Sequence, residues 1–239
     1  MDDLRERSRE RMMLPDDHDI SEEVSRPLYS YAEADRIAGV SRGTSRRWLK
    51  GYKYWYSEVE TAQPPITSNS GHESGVSFVD LIEVVAADRL RAEGFSLKKI
   101  RQINEFCQVR LERDRPLVTE TFKFKGRDIF VQISEGYLLN VGRQRGMQAW
   151  AEVLDPFLET LDYEDHLARR WWPLGRGEPI VVDPDYGFGA PVIAGTGVRT
   201  ENIAERSKAE EPPEEIAHDF GVEIYQVEAA LRYEFPEAA

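Results

Sequence analysis

The residues best suited to a specific chemical task are the cations of a short segment near the N-terminus. Six basic residues and no acidic one occur between Arg36 and Lys53. Guanidinium groups can bind guanine edges in a bidentate manner, and lysine ammonium groups pair with phosphates. This pattern predicts binding to a nucleic acid. The predicted contact residues are Arg42, Thr44, Ser45 and Arg46 for base edges, and Arg47, Lys50 and Lys53 for phosphates.

The cationic segment contrasts with the rest of the chain. The formal net charge is −13, and the stretch from Glu201 to Ala239 carries eleven acidic residues against three basic ones. Binding to a polyanion depends on how charge is distributed over a surface and not on its sum. The two ends of the chain are therefore predicted to bind different partners.

Local signals around the cations predict a helix-turn-helix. Ser30 and Glu33 have the spacing of a capping box at the start of a helix over 31–38. Ser41 is the predicted cap of a second helix over 42–50, and a glycine follows each helix. Two short helices joined by a tight, glycine-containing turn are typical of units that read DNA.

A wing is predicted directly after these helices. Residues 52–56 alternate as a strand does, and 61–75 are rich in proline, serine and glycine. Residues 76–78 have the composition of a short returning strand. Two strands around a loop, next to a helix-turn-helix, form a wing.

Two amphipathic helices follow the wing. The second begins after a predicted Ser96 cap and carries an apolar stripe that includes Ile100, Cys107 and Leu111. This stripe is long enough to pair with a symmetry mate, so we expect a homodimer or a higher hetero-oligomer with the protein partner. We interpret Cys107 as a buried structural thiol.

The remaining sequence predicts a central segment and a small C-terminal domain. Strand-like alternation within 117–142 flanks a turn at 126–128, which predicts a β-hairpin, and a helix follows over 147–161. Residues 168–177 (ARRWWPLGRG) are interpreted as a linker or docking segment. The last elements are two short strands within 179–196 and three helices near 200–208, 213–219 and 224–234.

Together these elements predict an α+β fold that is mainly α-helical. It comprises an N-terminal winged helix-turn-helix, a central β-hairpin and helix, and a small C-terminal β-hairpin with three helices. The predicted division is a flexible acidic tail (1–27), a DNA-binding domain (28–115), a central segment (116–176) and a partner-binding domain (177–239).

Other classes of function lack support in the sequence. A single cysteine excludes an internal disulfide, and the four histidines are far apart, so no metal site is predicted. No catalytic dyad or triad spacing occurs, and the glycine-rich run 187–197 lacks the spacing of a phosphate-binding loop. No apolar run approaches the roughly 20 residues of a membrane helix, and the N-terminus lacks a signal-peptide core. We expect a cytoplasmic, non-enzymatic protein without a cofactor.

The N-terminal sequence resembles the DNA-binding domain of the MerR family. The similarity covers roughly 28–111, and GFSLKKIRQI (94–103) is its most specific part. In that family a winged helix-turn-helix binds promoter DNA as a dimer. The resemblance implies that helix 42–50 reads the major groove and that a wing over 54–78 contacts the backbone. The sensor cysteines that follow the dimerisation helix in MerR proteins are missing here, so the resemblance does not extend to metal or redox sensing.

The C-terminal sequence repeats part of this pattern with the opposite charge. GVSRGTSRRWL (39–49) and GVEIYQVEAAL (221–231) share the spacing of glycine, valine and leucine. Carboxylates surround the second copy and would repel phosphate. We interpret it as a protein-docking module, and the alternative that it only covers the core stays open.

The C-terminal sequence also resembles a small domain found in bacterial antitoxins. The family pattern is matched by Asp183, Pro184, Gly189, Pro191, Ile193, Gly195 and Thr196, followed by three helices. An arginine is expected directly after Gly-Thr, but this chain has Gly197 there and Arg199 two positions further on. With its winged N-terminal domain, the chain is similar to VapB-type antitoxins. Such proteins repress their own operon and block a PIN-domain ribonuclease toxin.

This resemblance implies two partners, operator DNA and a PIN-type ribonuclease whose metal is held by carboxylates. An antitoxin can occlude the RNA groove, place a cation at the metal position, or present acidic groups that mimic RNA phosphate. The candidate partner contacts are Arg169, Arg170, Trp171, Trp172 and Arg176 in the segment 168–177, and Arg199, Arg206, Lys208 and Arg232 beyond it. The main alternative is a ligand-responsive MerR-like regulator in which 117–239 senses a small molecule. An enzyme is a third alternative, for which the sequence shows no catalytic spacing. A structural adaptor is also possible, but it would leave the basic helix unexplained.

Overall fold

The computed structural model describes residues 22–56, 59–67, 75–111, 115, 118, 122–125, 128–134, 137–140, 154–164 and 167–236. The helices are α1 (Glu22–Ser25), α2 (Tyr31–Ile37), α3 (Thr44–Lys50), α4 (Phe78–Ala92), α5 (Leu97–Leu111), α6 (Thr200–Lys208), α7 (Pro213–Phe220) and α8 (Ile224–Glu234). The strands are β1 (Pro27–Tyr29), β2 (Tyr52–Tyr56), β3 (Val59–Gln63), β4 (Val76–Ser77), β5 (Phe122–Lys125), β6 (Asp128–Ser134), β7 (Tyr137–Asn140), β8 (Leu161–Glu164), β9 (Leu167–Trp171), β10 (Ile180–Val182) and β11 (Pro191–Ile193). The fold is α+β, as predicted. Most of the predicted tail lies outside the described residues, and α1 and the first residue of β1 occupy its described end.

The predicted helix-turn-helix is present as α2 and α3. The capping box at Ser30 is confirmed, because its hydroxyl accepts a hydrogen bond from the Glu33 amide and the Glu33 carboxylate accepts one from the Ser30 amide. The predicted start of the second helix is wrong. Gly43 adopts a left-handed conformation (φ 81°) before the helix, so α3 begins at Thr44. Arg42 therefore precedes the helix instead of forming its first turn.

The wing forms with a different second strand from the one predicted. β2 pairs antiparallel with β3, with Tyr52 opposite Gln63 and Tyr56 opposite Val59. The residues predicted to return, Val76 and Ser77, pair with β1 instead. A short connection closes a hairpin at a lower entropic cost than a connection of about twenty residues. The loop predicted over 61–75 therefore contributes its first residues to β3.

Helix α4 is the centre of the larger hydrophobic core. All its residues from Phe78 to Ala87 are buried, and the helix contacts α1, α3, α5, β1, β4 and β9. The residues of the predicted apolar face are all buried, and burial extends to the other side of the helix up to Ala87, whereas Arg89 and Arg91 near its end are exposed. Leu154, Phe157 and Trp171 belong to the same core. The central segment is thus packed against the predicted DNA-binding domain.

Two carboxylates buried on α4 share one arginine. The Arg115 guanidinium donates to Asp80 Oδ1 at 3.0 Å and to Glu83 Oε2 at 3.2 Å, and all three side chains are buried. The pKa of Glu83 is raised to about 8, chiefly by burial and also by the charge on Asp80, although the positive charge on Arg115 lowers it. Through Arg115, these hydrogen bonds attach the part of the chain that follows α5 to helix α4.

The segment 168–177 is not a linker. Its first part forms β9, a middle strand of a four-stranded antiparallel sheet in the order β11-β10-β9-β8. The ring of Trp171 is buried in the core. The predicted boundary at 176 lies between β9 and β10, so this sheet joins the central segment to the C-terminal part of the chain.

The other central predictions are met in part. The predicted hairpin is present as β5 and β6, and β7 adds a third strand to the sheet. Of the helix predicted over 147–161, residues 154–158 are helical, and strand β8 begins at Leu161. Its first part, 147–153, lies outside the described residues. Within the described ranges, no helix has the length and apolar character needed to cross a bilayer.

The three predicted C-terminal helices are confirmed as α6, α7 and α8. Pro213 occupies the first turn of α7, and Gly221 ends that helix in a left-handed conformation. This three-helix unit has its own core, which includes Ile193, Ile203 and Val227. It also packs on the helix-turn-helix.

Hydrogen bonds cross the junction between these two units. The Tyr233 hydroxyl donates to the carbonyl of Ile37 at 3.2 Å, at the end of α2. The Tyr29 hydroxyl, on β1, donates to the carbonyl of Gly189 at 2.9 Å. The C-terminal unit, defined here as residues 180–234, is therefore held against α2 and β1.

Candidate nucleic-acid interface

A buried carboxylate on α2 positions the cationic helix α3. Asp35 accepts hydrogen bonds from the backbone amide of Gly43 through Oδ2, at 2.5 Å, and from that of Ser45 through Oδ1, at 2.7 Å. A carboxylate at this end of a helix satisfies free amides and interacts favourably with the helix dipole. The cap is thus Asp35 from the preceding helix, and not Ser41 as predicted.

The α3 helix has one buried face and one cationic face. Trp48 and Leu49 are buried, as the sequence predicted. The side chains of Arg46, Arg47 and Lys50 are exposed, and so is that of Arg42 just before the helix. This face presents cations at the spacing of successive helical turns, which suits contact with base edges and phosphates.

Two of the predicted base contacts are wrong. Ser45 has no exposed surface and the exposed fraction of Thr44 is 6%. Both lie on the core side of α3, because each precedes a buried residue, Trp48 or Leu49, by four positions and so shares its face. Thr44 instead accepts a hydrogen bond from Arg47 Nη2 at 3.1 Å. Its role is therefore to orient an arginine of the exposed face.

Other contacts fix the direction of the exposed cations. The Arg46 guanidinium lies over the ring of Tyr31, 5.8 Å from its centroid. Lys53, on the wing, pairs with Glu60 on the neighbouring strand at 3.3 Å. This pair is solvent-exposed, so it holds Lys53 only weakly and leaves it able to exchange its partner for a phosphate.

The wing is attached firmly to α3 and α5. The amide of Ile66, just after β3, donates to the carbonyl of Trp48 at 2.9 Å. Arg101 on α5 donates through Nε to the carbonyls of Pro64 and Pro65, and through Nη1 to Gln63 Oε1. These bonds hold the hairpin in a defined position relative to the cationic helix.

The wing also presents an exposed aromatic residue, Trp55, which was not among the predicted nucleic-acid contacts. The side chain of Trp55 is 73% exposed and lies on the same face of β2 as Lys53, because side chains two apart on a strand share a face. The strand alternation of 52–56 indicated this shared face. The sequence did not indicate which face of β2 is the more exposed to solvent.

One of the six cations near α3 belongs to the junction and not to the exposed face. Arg36 lies 3.6 Å from a carboxylate oxygen of Glu201 and 3.5 Å from one of Glu234. Both partners come from the acidic C-terminal unit. The cations of α3 keep their exposure, so the predicted polyanion-binding surface is smaller than the sequence suggested and is centred on α3.

The candidate partner contacts in 168–177 are largely occupied within the chain. Arg170 donates to the buried Asp183 at 2.5 Å, which raises the pKa of this arginine. Trp172 Nε1 donates to Asp162 Oδ2 at 2.8 Å, and Trp171 is buried. Arg176 pairs with Asp162 at 2.6 Å and donates to the carbonyls of Glu159 and Leu161. Arg169 pairs with Glu164 and Asp185.

The candidate contacts of the C-terminal unit are also engaged. Arg206 bonds to Glu211 and Asp219, which raises the pKa of the arginine, and Arg232 lies 2.5 Å from Glu178. Lys208 lies over the ring of Phe235. Arg199 donates to the carbonyl of Gly187 at 3.1 Å and lies over the ring of Phe188. These cations stabilise the fold of the unit, a role that the sequence could not distinguish from partner binding.

The most exposed aromatic residue of the C-terminal unit lies in the loop between β10 and β11. Phe188 is 84% exposed and has a left-handed backbone conformation (φ 59°, ψ 38°) between two glycines of positive φ. Phe188 was not among the predicted partner contacts, although an aromatic residue between two such glycines is an unusual pattern.

The chain matches two family models. Residues 27–103 match the family described as "Putative DNA-binding HTH domain", which covers α2, α3, the wing and α4. Residues 180–233 match the family described as "Protein of unknown function (DUF433)", which covers β10 to α8. The two matched ranges coincide with the two units that meet at the junction.

Two curated proteins of Mycobacterium tuberculosis are similar to nearly the whole chain. "Putative antitoxin VapB45" is 24% identical over 86% of this chain and 92% of its own length. "Uncharacterized protein Rv2308" is 23% identical over 91% of this chain and 94% of its own length. The crystal structure of Rv2018 from the same organism superposes with a TM-score of 0.56 at 20% identity, over 86% of this chain and 98% of that one. The chain therefore shares its fold with Rv2018 and carries an N-terminal helix-turn-helix domain.

Proposed function

We propose that this chain is a cytoplasmic antitoxin of a type II toxin–antitoxin system. Its helix-turn-helix binds operator DNA and represses the operon, and its remaining part binds and neutralises a PIN-domain ribonuclease. The observation that carries the DNA half is the exposed cationic face of α3, with Arg46, Arg47 and Lys50 directed away from the core. The similarity to a protein named as an antitoxin supports the other half.

The DNA-binding role follows from the geometry of α3 and the wing. A helix entering the major groove brings Arg46 and Arg47 to base edges and Lys50 to the backbone. The wing then brings Lys53 and Trp55 to the adjacent backbone. A MerR-like dimer would place two such helices on two half-sites, so we expect an operator with two-fold symmetry.

Repression of this kind depends on salt. Each protein–phosphate contact releases counterions, so affinity falls as salt rises. Fluorescence anisotropy with the DNA upstream of the chain's own gene, titrated at several salt concentrations, measures this dependence. Lys50→Gln should lower the salt slope by about one unit and weaken specific and nonspecific DNA alike. Equal slopes for Lys50→Gln and the parent chain would contradict the assignment of Lys50 to a phosphate.

The ion pairs of the candidate arginines bear on how the chain would block the ribonuclease. Insertion of Arg176, Arg206 or Arg232 at a metal position would first break an ion pair of the chain, which for Arg206 involves two carboxylates, and occlusion of the groove carries no such cost. We therefore favour occlusion of the RNA groove over insertion of one of these arginines.

The direct test uses the PIN-domain ribonuclease encoded beside the chain's gene. The purified nuclease should lose RNA cleavage when the full chain is added in stoichiometric amount. Arg232→Gln should inhibit as well as the parent chain under occlusion. Absence of such a gene, or full cleavage with the chain in excess, would contradict the antitoxin function.

A cavity favours the alternative of a ligand-responsive regulator. It has a volume of about 250 Å³ and lies between the base of the wing and α5, where Ile66, Arg101 and Asn104 are among its lining residues. Asn104 Oδ1 is buried and forms no hydrogen bond with a described residue. A small polar molecule bound there would act on the wing directly. Under this alternative, the chain would bind its operator without any nuclease, and Asn104→Leu would abolish the response to the molecule.

A further inference from the structure

The loop from Asp183 to Ala190 presents two aromatic side chains to solvent. Tyr186 is 57% exposed and Phe188 is 84% exposed. Aromatic side chains are enriched at the centres of protein interfaces, because they bury a large area while losing few rotatable bonds. Two of them on one short loop form a candidate anchor for another protein.

The loop is held in one conformation by hydrogen bonds within it. The Asp185 amide donates to Asp183 Oδ1 at 2.9 Å, and the Tyr186 amide donates to the carbonyl of Asp183 at 3.1 Å. The Gly189 amide donates to the carbonyl of Tyr186 at 2.9 Å. An anchor that is already ordered loses less entropy when it binds.

Two side chains from other elements fix the same loop. The Arg199 guanidinium donates to the carbonyl of Gly187, and the Tyr29 hydroxyl donates to that of Gly189. A Cβ at Gly189 would lie 2.4 Å from the Tyr29 hydroxyl oxygen, so the loop contacts β1 as closely as a glycine allows. The loop is therefore supported from the helix-turn-helix side as well as from its own unit.

The conformation of Phe188 is unfavourable for its residue type. A bulky side chain in the left-handed region is an outlier, and glycine or asparagine adopts it more readily. Such residues persist where the surrounding structure imposes them, and they concentrate at functional sites. Here the surrounding structure directs an apolar ring into water, where it contributes little to the core.

The charge next to the rings indicates the kind of surface that fits them. Arg199 lies over the ring of Phe188, 6.0 Å from its centroid. About half of the Arg170 side chain is exposed, and its guanidinium pairs with Asp183 at the start of the loop. Two arginines therefore contact the loop that carries the rings. A complementary partner surface would be an apolar cleft bordered by carboxylates.

We propose that this loop is the docking element for the protein partner, with the rings of Tyr186 and Phe188 entering an apolar cleft that has an acidic border. This proposal rests on the proposed function, in which the partner is the PIN-domain ribonuclease. The loop contacts β1 through Tyr29, so the partner binds beside the junction with the DNA-binding unit.

The test compares variants of the full chain for binding to the ribonuclease encoded beside its gene. Phe188→Gly removes the ring and suits the left-handed backbone, so the loop keeps its conformation. Isothermal titration calorimetry should give a Kd at least about 30-fold higher for Phe188→Gly, as expected for a central anchor. The matched control is Tyr225→Ala, which removes another exposed ring, on α8 of the same unit, and should change the Kd less than about twofold.

The outcomes separate this proposal from the proposed function. Tight binding by the parent chain and by Phe188→Gly would overturn the docking element and leave the antitoxin function in place. No binding by the parent chain would overturn both. Binding weakened equally by Tyr225→Ala and Phe188→Gly would overturn the assignment to this loop. A change of self-association alone, seen by analytical ultracentrifugation, would assign the loop to a second copy of this chain and overturn the proposal.

Discussion

The Asp35 carboxylate lies 2.7 Å from the backbone nitrogen of Ser45, so a buried side chain of α2 caps the cationic helix α3. The same carboxylate also accepts from the Gly43 amide. The orientation of the exposed cations is therefore set by a residue that does not itself reach the surface.

Replacement of this cap should cost stability and DNA affinity together. In Asp35→Asn the amide group cannot accept both backbone hydrogen bonds, which leaves one buried donor without a partner. We expect a loss of about 1–3 kcal/mol in the free energy of unfolding. Urea denaturation measures the loss, and anisotropy measures the weaker DNA binding.

As a control, Glu33→Gln changes the exposed capping box and should cost less than about 1 kcal/mol, since the side-chain amide oxygen can still accept the hydrogen bond from the Ser30 amide. Equal stability of Asp35→Asn and the parent chain would refute the role of this cap.

The Glu83 cluster predicts a specific dependence of stability on pH. The pKa of Glu83 is raised to about 8 in the folded chain, whereas an unfolded glutamate has a pKa of about 4.3. Between these values the folded chain holds a proton that the unfolded chain has lost. Stability from this group is therefore present at low pH, falls as the pH rises through this window, and becomes constant above it.

The variant Glu83→Gln isolates this contribution. Its amide replaces a carboxyl that is protonated in the folded state, beside Asp80, Arg115 and Thr67. Denaturation at a series of pH values should show that the variant gains stability relative to the parent chain as the pH rises from 5 to about 8.5. A difference between the two proteins that stays constant over this range would contradict the raised pKa.

The exposed ring at position 188 should be dispensable for folding. Phe188→Gly relieves the left-handed strain of about 1 kcal/mol but makes the unfolded chain more flexible, and these effects nearly cancel. The free energy of unfolding should therefore change by less than about 1 kcal/mol. Phe188→Val, with a β-branched side chain at the same positive φ, should cost more. If Phe188→Gly is strongly destabilised, the ring serves the fold and not a partner.

Local signals predicted those elements whose ends are marked by residues of special conformation. The three C-terminal helices were predicted within one residue, because Pro213 and Gly221 fix the limits of α7 and its neighbours. The capping box at Ser30 was predicted for the same reason. These signals act over three or four residues and need no tertiary information.

Contacts between distant residues could not be predicted in this way. Ser41 has the sequence of a cap, but Asp35 displaces it by reaching across the turn. Arg232 and Glu178 are 54 positions apart, so their pairing is invisible in the sequence and Arg232 was predicted to be available to a partner. The inward direction of Ser45 could have been predicted, because Leu49, expected in the core, follows it by one helical turn.

The central claim is that the exposed face of α3 binds operator DNA, and one comparison tests it most directly. Arg46→Gln and Arg232→Gln each remove one exposed arginine, the first from α3 and the second from α8. Anisotropy with operator DNA at fixed salt should show a loss of about 1–3 kcal/mol in binding free energy for Arg46→Gln, and affinity like that of the parent chain for Arg232→Gln. Equal affinities for Arg46→Gln and the parent chain would contradict the claim.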